Sequence, residues 1–350
     1  MNKLLHIIVS LLLGINFCFA QPYYFNHYQV ENGLSNNAVM ASLQDRHGFM
    51  WFGTKDGLNR YDGYTFKVFR NNPEDPQSIG RNFIYSLYEE DDGMLWVGTD
   101  RGLFIYDPKT EVFQVMNSAP TNEITEILAV GKNERWLLSR GTLYIYNKST
   151  GISEAFKQPR RFDATSVCLD DQNRLWASTT SGSIEMYDRE KKSFESFDVF
   201  NRSPKPISRW VEKIYYAGNG TLYIGTADQG IKIFDIKSKT YRDLIFPDGD
   251  TPGLFVRDFI RYNKNEIWIG SESGIIIYNS STQKFTRLRK NYNDPYSLTD
   301  NAVYTFCKDK EGGILAGTYF GGINYYPHQF TRFEKYFPQD QMNSISGNAV

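Results

Sequence analysis

A short motif that recurs seven times is the feature that most constrains the fold of this 350-residue chain. Its clearest copies are Trp51-Phe52-Gly53-Thr54 and Trp96-Val97-Gly98-Thr99, and the weaker copies begin at Trp136, Trp176, Tyr223, Trp268 and Leu315. Successive copies are 45, 40, 40, 47, 45 and 47 residues apart. A repeat of this length in a chain with 24 Tyr and 25 Phe indicates stacked small sheets, because helical repeats would show a 3.6-residue apolar period.

Each repeat is predicted to contain four short strands. In the first repeat we expect strands at residues 39–44, 50–53, 58–61 and 65–69, with turns rich in Gly and Asp between them. The residue three positions before each motif is Gly or Asn, which predicts a tight hairpin with a left-handed residue at that point. These positions are Gly48, Gly93, Asn133, Asn173, Gly220, Asn265 and Gly312.

A sheet of four short strands has two faces to bury, and stacking such sheets around an axis buries both. The predicted fold class is therefore all-β: a seven-bladed β-propeller of four-stranded antiparallel blades, with the start of an eighth repeat. The propeller is expected over residues 21–340. Residues 341–350 end in Asn348-Ala349-Val350, which repeats Asn37-Ala38-Val39 and predicts that the sequence belongs to a longer protein.

The closure of the ring has two candidate strands. Residues 23–30 could complete the seventh blade from the N-terminal side, or residues 330–337 could supply its fourth strand. The sequence leaves both open.

Residues 1–20 are predicted to be a signal peptide, because Lys3 precedes an apolar run that is too short to span a bilayer and polar residues follow Ala20. Cys168 and Cys307 remain after its removal. Both lie eight residues before their motifs, where the other repeats have apolar or aromatic residues. We therefore expect them to be buried in separate blades, beyond disulfide reach, and we expect the recurrent Trp residues to be core as well.

Composition and motifs exclude several kinds of chemistry. The net charge of −1 provides no basic field for nucleic acid. His27, His47 and His328 are isolated from other ligand residues, so no metal site is predicted. No nucleophile motif or phosphate-binding loop is present in the sequence. We therefore predict no catalytic residue and no cofactor.

A ligand site is expected on the face where the loop that enters each innermost strand meets the loop between the second and third strands. Fourteen residues before the motifs lie Asn37, Asn82, Asn122, Phe162, Arg209, Leu254 and Asn301. The Asn residues among them are candidates to ring the channel, or they serve the backbone locally at strand ends. Residues that break the repeat are stronger candidates, because packing does not explain them. These are Arg209, Trp210, Asp228, Gln229, Arg257, Asp258, Tyr319 and Phe320.

Residues 33–39, 45–54 and 57–63 closely resemble the two-component regulator propeller repeat. The third repeat departs from the pattern, since it has Leu138 where the motif has Gly. Such repeats form the periplasmic part of hybrid two-component sensors of Bacteroidetes. The resemblance implies a sensor of oligosaccharides or other glycan fragments, a homodimer formed through the full-length protein, and a membrane helix and histidine kinase beyond the present sequence.

The leading functional hypothesis is thus a periplasmic ligand-sensing module that has no catalytic activity of its own. One alternative is a propeller glycosidase or lyase, which predicts a close group of carboxylates or His on the channel face. Another is a scaffold whose propeller only mediates dimerisation.

Overall fold

The computed structural model describes residues 23–157, 163–201, 208–246 and 254–328. Several predictions fall outside these residues. They are the signal peptide at 1–20, Phe162 of the proposed channel ring, the alternative closing strand at 330–337 and the eighth repeat at 341–350.

The described residues form seven antiparallel sheets of four strands, with one short 3-10 helix at Val30–Asn32, which confirms the predicted fold class. The first blade comprises β2 (Val39–Gln44), β3 (Met50–Thr54), β4 (Gly57–Tyr61) and β5 (Phe66–Phe69). The second comprises β6 (Ile84–Glu89), β7 (Leu95–Thr99), β8 (Gly102–Asp107) and β9 (Val112–Val115). The third comprises β10 (Glu126–Val130), β11 (Glu134–Ser139), β12 (Thr142–Asn147) and β13 (Ile152–Ala155).

The other four blades have the same order. The fourth comprises β14 (Ala164–Leu169), β15 (Leu175–Thr179), β16 (Ser183–Asp188) and β17 (Ser193–Asp198). The fifth comprises β18 (Val211–Gly218), β19 (Thr221–Thr226), β20 (Ile231–Asp235) and β21 (Thr240–Asp243). The sixth comprises β22 (Val256–Arg261), β23 (Glu266–Ser271), β24 (Gly274–Asn279) and β25 (Lys284–Leu288). The seventh comprises β26 (Val303–Lys308), β27 (Ile314–Thr318), β28 (Ile323–Tyr326) and β1 (Asn26–Tyr28).

The inner strands form a closed ring. Each contacts the inner strand of the next blade, in the order β2, β6, β10, β14, β18, β22, β26 and back to β2. The N-terminal strand β1 pairs antiparallel with β28, so the seventh blade is completed from the N-terminal side. Of the two closing strands that the sequence allows, the described residues therefore contain the N-terminal one. Such closure covers the backbone edge that an open seventh blade would expose.

The last residue of each repeat motif is Thr or Ser because its hydroxyl closes the turn that follows. In six blades this buried hydroxyl donates to a backbone carbonyl across the turn between the second and third strands, at 2.9 to 3.0 Å. The six donors are Thr54, Thr99, Thr179, Thr226, Ser271 and Thr318. In the third blade, the hydroxyl of Ser139 has no partner among the described residues. The recurrent Thr or Ser is therefore a structural element of the blade.

The predicted left-handed residue is found in five of the seven hairpins between the first and second strands. Asn133 and Asn265 do not adopt it, and here the prediction was wrong. In the third blade Gly131 takes the left-handed conformation instead, with φ of 70°. In the sixth blade the side chain of Asn263 accepts hydrogen bonds from the backbone N–H of Asn265 and Glu266, at 2.9 and 3.0 Å. That side chain provides the turn without a left-handed residue.

The Trp residues of the motif are core residues, as predicted. Trp51, Trp96, Trp136, Trp176 and Trp268 are all buried between blades. Cys168 and Cys307 are free thiols that pack against the apolar clusters of different blades. They are half-buried rather than fully buried, which corrects the prediction in degree. Among the described residues, no helix has the length and apolar character needed to cross a membrane.

The closing segment provides a test of the ring. Phe25 is 2% exposed and packs edge-on against Trp268, with ring centroids 6.4 Å apart. We expect Phe25→Ala to lower the free energy of unfolding by about 3 to 5 kcal/mol, because it empties the contact between the N-terminal segment and the last two blades. Urea denaturation measures this. The control Tyr64→Ala, at a side chain that is 91% exposed, should change stability by less than about 0.5 kcal/mol. Equal effects of the two substitutions would contradict closure by this segment.

Candidate ligand-binding site

Six of the seven inner strands, within the described residues, carry a β-bulge at the same place. The pairing between the first and second strands skips one residue near the start of the inner strand. The skipped residues are Met40, Tyr85, Thr165, Glu212, Arg257 and Tyr304. The equivalent residue of the third blade is Thr125, immediately before β10. All seven lie eleven residues before the repeat motif. A bulge re-aims the side chain of the extra residue.

The residue before each bulge fixes the position of the bulge. It is a buried apolar side chain in every blade, and in five blades it packs on the motif Gly of the preceding blade. A Cβ added at Gly53 would lie 2.6 Å from Cγ2 of Ile84, and one added at Gly225 would lie 2.5 Å from Cγ1 of Val256. The motif Gly is therefore needed for close approach of the next blade.

The third blade shows how a departure from the motif is accommodated. It has Leu138 where the motif has Gly, and the facing residue of the fourth blade is Ala164 instead of Ile or Val. Both belong to one buried apolar cluster. The strand β11 that carries Leu138 pairs regularly with both neighbours. A larger residue on one blade is thus matched by a smaller one on the next.

The seven bulge-position residues line one cavity of about 660 Å³ at the mouth of the central channel. It opens on the predicted face, since Gly141 and Thr180 come from loops between second and third strands, and Glu123 and Asp163 precede inner strands. A cavity of this volume is in the size range of small-molecule sites. We call it the channel mouth.

Aromatic side chains cover one arc of the channel mouth and its rim. Phe83 and Tyr85 stack with ring centroids 4.3 Å apart and an interplanar angle of 7°. In the seventh blade Tyr304 contacts Tyr319 at 5.0 Å, and Tyr319 contacts Phe320 at 4.7 Å. Lys55 of the first blade donates a hydrogen bond to the hydroxyl of Tyr319, and its ammonium also lies over the ring of Phe83. It thereby connects the aromatic pair of the second blade with the aromatic group of the seventh.

Arg257 lies at the centre of a charged network on the same arc. Its guanidinium donates to Glu212 at 2.7 Å and to Glu272 at 2.5 and 2.8 Å. It also donates to the hydroxyl of Tyr304 at 3.1 Å. Burial raises the pKa of Tyr304 to about 12, so its hydroxyl stays protonated. The network links the fifth, sixth and seventh blades and orients their bulge residues toward one another.

Trp210 extends this arc toward the fifth blade. Its indole N–H donates to the second carboxylate oxygen of Glu212 at 2.8 Å, while the ring remains 44% exposed. Phe320, on the seventh blade between Trp210 and the Phe83–Tyr85 pair, is 74% exposed. The arc therefore presents solvent-accessible aromatic surface at both Trp210 and Phe320.

Below the channel mouth, charged residues one position further along the strands form a throat cluster. Lys213 donates to Glu126 at 2.6 Å and lies 3.9 Å from Asp258. Glu126 also accepts from Ser166 and from the backbone N–H of Val167, at 2.8 and 2.6 Å. Burial raises the pKa of Asp258, although the Lys213 ammonium opposes the shift. The cluster connects the third, fifth and sixth blades across the channel.

The structure brings together some of the predicted site residues. Trp210, Arg257 and Asp258 lie at the channel mouth or throat, and Tyr319 and Phe320 lie at its rim. Arg209 instead lies between the fourth and fifth blades, where it donates to Asp198 at 2.8 Å. Asp228 accepts from the backbone N–H of Ser208 at 2.9 Å, and the backbone N–H of Gln229 donates to Thr226.

The predicted Asn residues serve the backbone. The side-chain oxygens of Asn37, Asn82 and Asn301 accept from the backbone N–H of Val30, Asn71 and Lys290. Their carbonyls, and that of Asn122, accept from Gly residues in neighbouring turns. Leu254 is a buried core residue. The Asn residues thus have the local backbone role that was one of the two alternatives from the sequence.

Sequence reasoning predicted Arg257 and missed the other six bulge-position residues, namely Met40, Tyr85, Thr125, Thr165, Glu212 and Tyr304. A signal was available. The position eleven residues before the motif contains Met, Tyr, Thr, Thr, Glu, Arg and Tyr, whereas the preceding position is always apolar. A repeat position that varies in chemistry, next to one that is always apolar, indicates a surface position whose residue type is not restricted by packing.

Comparison with known proteins agrees with this architecture. The two component regulator propeller family matches residues 33–56 and 78–101, which lie in the first two blades. The matched residues include the repeat motifs of both blades. Over 55 residues, 16% of the chain, the sequence is 51% identical to histidine kinase P4 of Formosa agariphila, and this match covers 4% of the kinase.

Solved structures extend the likeness to nearly all of the repeat-built chain. The extracellular domain of a putative hybrid two component system from B. thetaiotaomicron is 25% identical, with a TM-score of 0.80 over 93% of this chain and 44% of that one. A second such domain from the same organism is 19% identical, with a TM-score of 0.78 over 89% of this chain and 40% of that one. The chain spans less than half the length of these extracellular domains. It is related to the propellers of two-component sensors.

The throat cluster provides a second test. We expect Lys213→Met to lower the free energy of unfolding by about 2 to 3 kcal/mol at pH 7, because it leaves the partly buried carboxylates of Glu126 and Asp258 without their ammonium partner. The loss should be smaller at pH 5. Burial raises the pKa of Asp258 and the variant lacks the ammonium that opposes this shift, so the folded variant takes up a proton there more readily than the unfolded chain does. Urea denaturation at the two pH values measures both effects.

The matched control is Lys239→Met, which removes an exposed pair with Glu195. It should cost less than about 1 kcal/mol at either pH. If Lys213→Met lowered the free energy of unfolding no more than Lys239→Met does, or lowered it more at pH 5 than at pH 7, Lys213 would not be the compensating charge in the throat cluster.

Proposed function

We propose that this chain is the ligand-sensing propeller of a hybrid two-component sensor, and that it binds an oligosaccharide or glycan fragment at the channel mouth. The observation that carries the proposal is the ring of bulge-position residues. Seven equivalent positions differ in chemistry and converge on one cavity, while the residues around them are held to a common packing pattern. The similarity to extracellular sensor domains supports the sensing role.

The side chains of the channel mouth suit a sugar. Aromatic rings provide flat apolar surfaces for the C–H faces of a pyranose, and neighbouring carboxylates and guanidinium groups hydrogen-bond to hydroxyls. Trp210 and Phe320 supply the first kind of group, and Glu212 and Arg257 supply the second. The network around Arg257 holds them in place before a ligand arrives, which lowers the entropic cost of binding.

Binding without catalysis is the role that we favour for this segment. A glycosidase requires a carboxylic acid and a carboxylate on the two sides of the reacting bond. At the channel mouth Glu123, Glu126 and Glu212 each accept from Arg140, Lys213 or Arg257. Such pairing suits orientation of a ligand better than proton transfer. A release of reducing ends from a bound glycan would instead support the enzyme alternative.

We further propose that the segment lies in the periplasm and signals as a homodimer of the full-length sensor. The apolar N-terminal sequence and the extracellular location of the similar domains support this. The scaffold alternative predicts self-association that no glycan alters. Analytical ultracentrifugation with and without a bound glycan distinguishes the two.

The binding proposal is tested by calorimetric titration with oligosaccharides from a panel of polysaccharide digests. For an oligosaccharide that binds, we expect Trp210→Ala to weaken the affinity by about 30-fold, because an oriented aromatic anchor contributes about 2 kcal/mol at such sites. Tyr64→Ala, at an exposed aromatic in the turn between β4 and β5, is the control and should leave the affinity unchanged. Binding that is insensitive to Trp210→Ala, or absent across the panel, would contradict the proposal.

A further inference from the structure

The cations of the channel mouth are already neutralised. Among the described residues that line it, three are basic: Arg140, Lys213 and Arg257. Arg140 lies 2.9 Å from Glu123, Lys213 lies 2.6 Å from Glu126, and Arg257 binds both Glu212 and Glu272. A ligand carboxylate or sulfate would have to compete with a protein carboxylate at each of them. The cost of that competition is largest at Lys213, where the protein carboxylate is partly buried.

Acidic groups outnumber basic groups in the same lining. Four described lining residues are carboxylic acids: Glu123, Glu126, Asp163 and Glu212. Asp258 adds a further carboxyl in the throat. Lys55 is a further cation at the rim, and its ammonium lies over the Tyr319 ring at 3.8 Å from its centroid. Among the described lining residues the acidic groups thus outnumber the basic ones, whereas recognition of a polyanion requires a surplus of positive charge.

The remaining surface favours a neutral ligand. Stacked Phe83 and Tyr85 lie across the rim from Trp210, and Phe320 lies beside Tyr319. Aromatic faces bind the C–H surface of a sugar whether or not it carries charge, and carboxylates accept hydrogen bonds from its hydroxyls. A carboxylate on the ligand cannot donate a hydrogen bond to the carboxylates of the protein, and its negative charge is repelled by them.

We infer that the channel mouth selects uncharged glycans and rejects uronate-containing or sulfated ones. This inference rests on the proposed function and adds to it the chemical class of the ligand. Glu123 is a specificity residue on this account, because its carboxylate pairs with the exposed guanidinium of Arg140 and offsets its charge. Without that carboxylate, Arg140 would attract an anionic sugar more strongly.

The test compares oligosaccharides that differ only at C6, where one member is neutral and the other is charged. Neutral glucan, mannan and galactan oligosaccharides are each paired with the product in which the C6 hydroxymethyl groups are oxidised to carboxylates. Affinities are measured by calorimetry at 50 and 500 mM NaCl. We expect the neutral member of a binding pair to bind at least about tenfold more tightly, a difference of about 1.4 kcal/mol, with an affinity that salt changes by less than about twofold.

The variant Glu123→Gln should raise the affinity for the oxidised member, relative to that for the neutral member, by about fivefold at 50 mM NaCl. Glu195→Gln, which removes a carboxylate from an exposed pair with Lys239, is the control and should affect neither. Tighter binding of the oxidised member, with an affinity that falls as salt rises, would overturn the inference and leave the proposed binding function intact. Absence of binding for every member of the panel, with the protein folded, would overturn both.

Discussion

The contact between the motif Gly of one blade and the apolar residue of the next inner strand is the constraint on which the rest of the structure depends. At Gly53 and Gly317 there is no room for a Cβ, because Ile84 and Val39 pack directly on the backbone. These apolar side chains are fully buried and fix the register of each inner strand. The next residue is excluded from the ladder and faces the channel. Packing between blades therefore positions the candidate site.

The same constraint explains why the fold could be predicted from the sequence and the site only in part. The Trp and Gly of the motif are repeated because blade packing requires them, so alignment of the repeats revealed the blades and identified Trp51 and Trp176 as core. The site lies where packing imposes no requirement. Met40, Tyr85 and Tyr304 share only their position, and residue type alone gives no sign that they meet.

Residues that break the repeat were a useful but incomplete guide. Trp210 and Arg257 lie at the channel mouth, whereas Arg209, one residue away, binds Asp198 between two blades. Sequence spacing could not separate these cases, because successive side chains at the start of an inner strand point alternately toward the channel and toward the neighbouring blade. The ring closure was open for a similar reason, since β1 is only three residues long and its pairing with β28 depends on the assembled ring.

Ion pairs between neighbouring blades hold the side chains of the channel mouth in place. Arg257 and Lys213 each connect more than one blade through carboxylates, so the cations orient the aromatic arc and close the throat. A ligand bound above them would contact side chains from several blades at once. Displacement of any one of these groups would be transmitted to neighbouring blades through the shared ion pairs, which provides a physical route from binding to a change in packing.

The most direct test of the central claim is a crystal structure of the protein with a glycan that binds it. The account predicts density for the sugar at the channel mouth, in contact with Trp210 and with bulge-position residues of at least three blades, including Tyr304 or Tyr85. Density for the sugar at the outer edge of the blades, or on the opposite face of the ring, would contradict it.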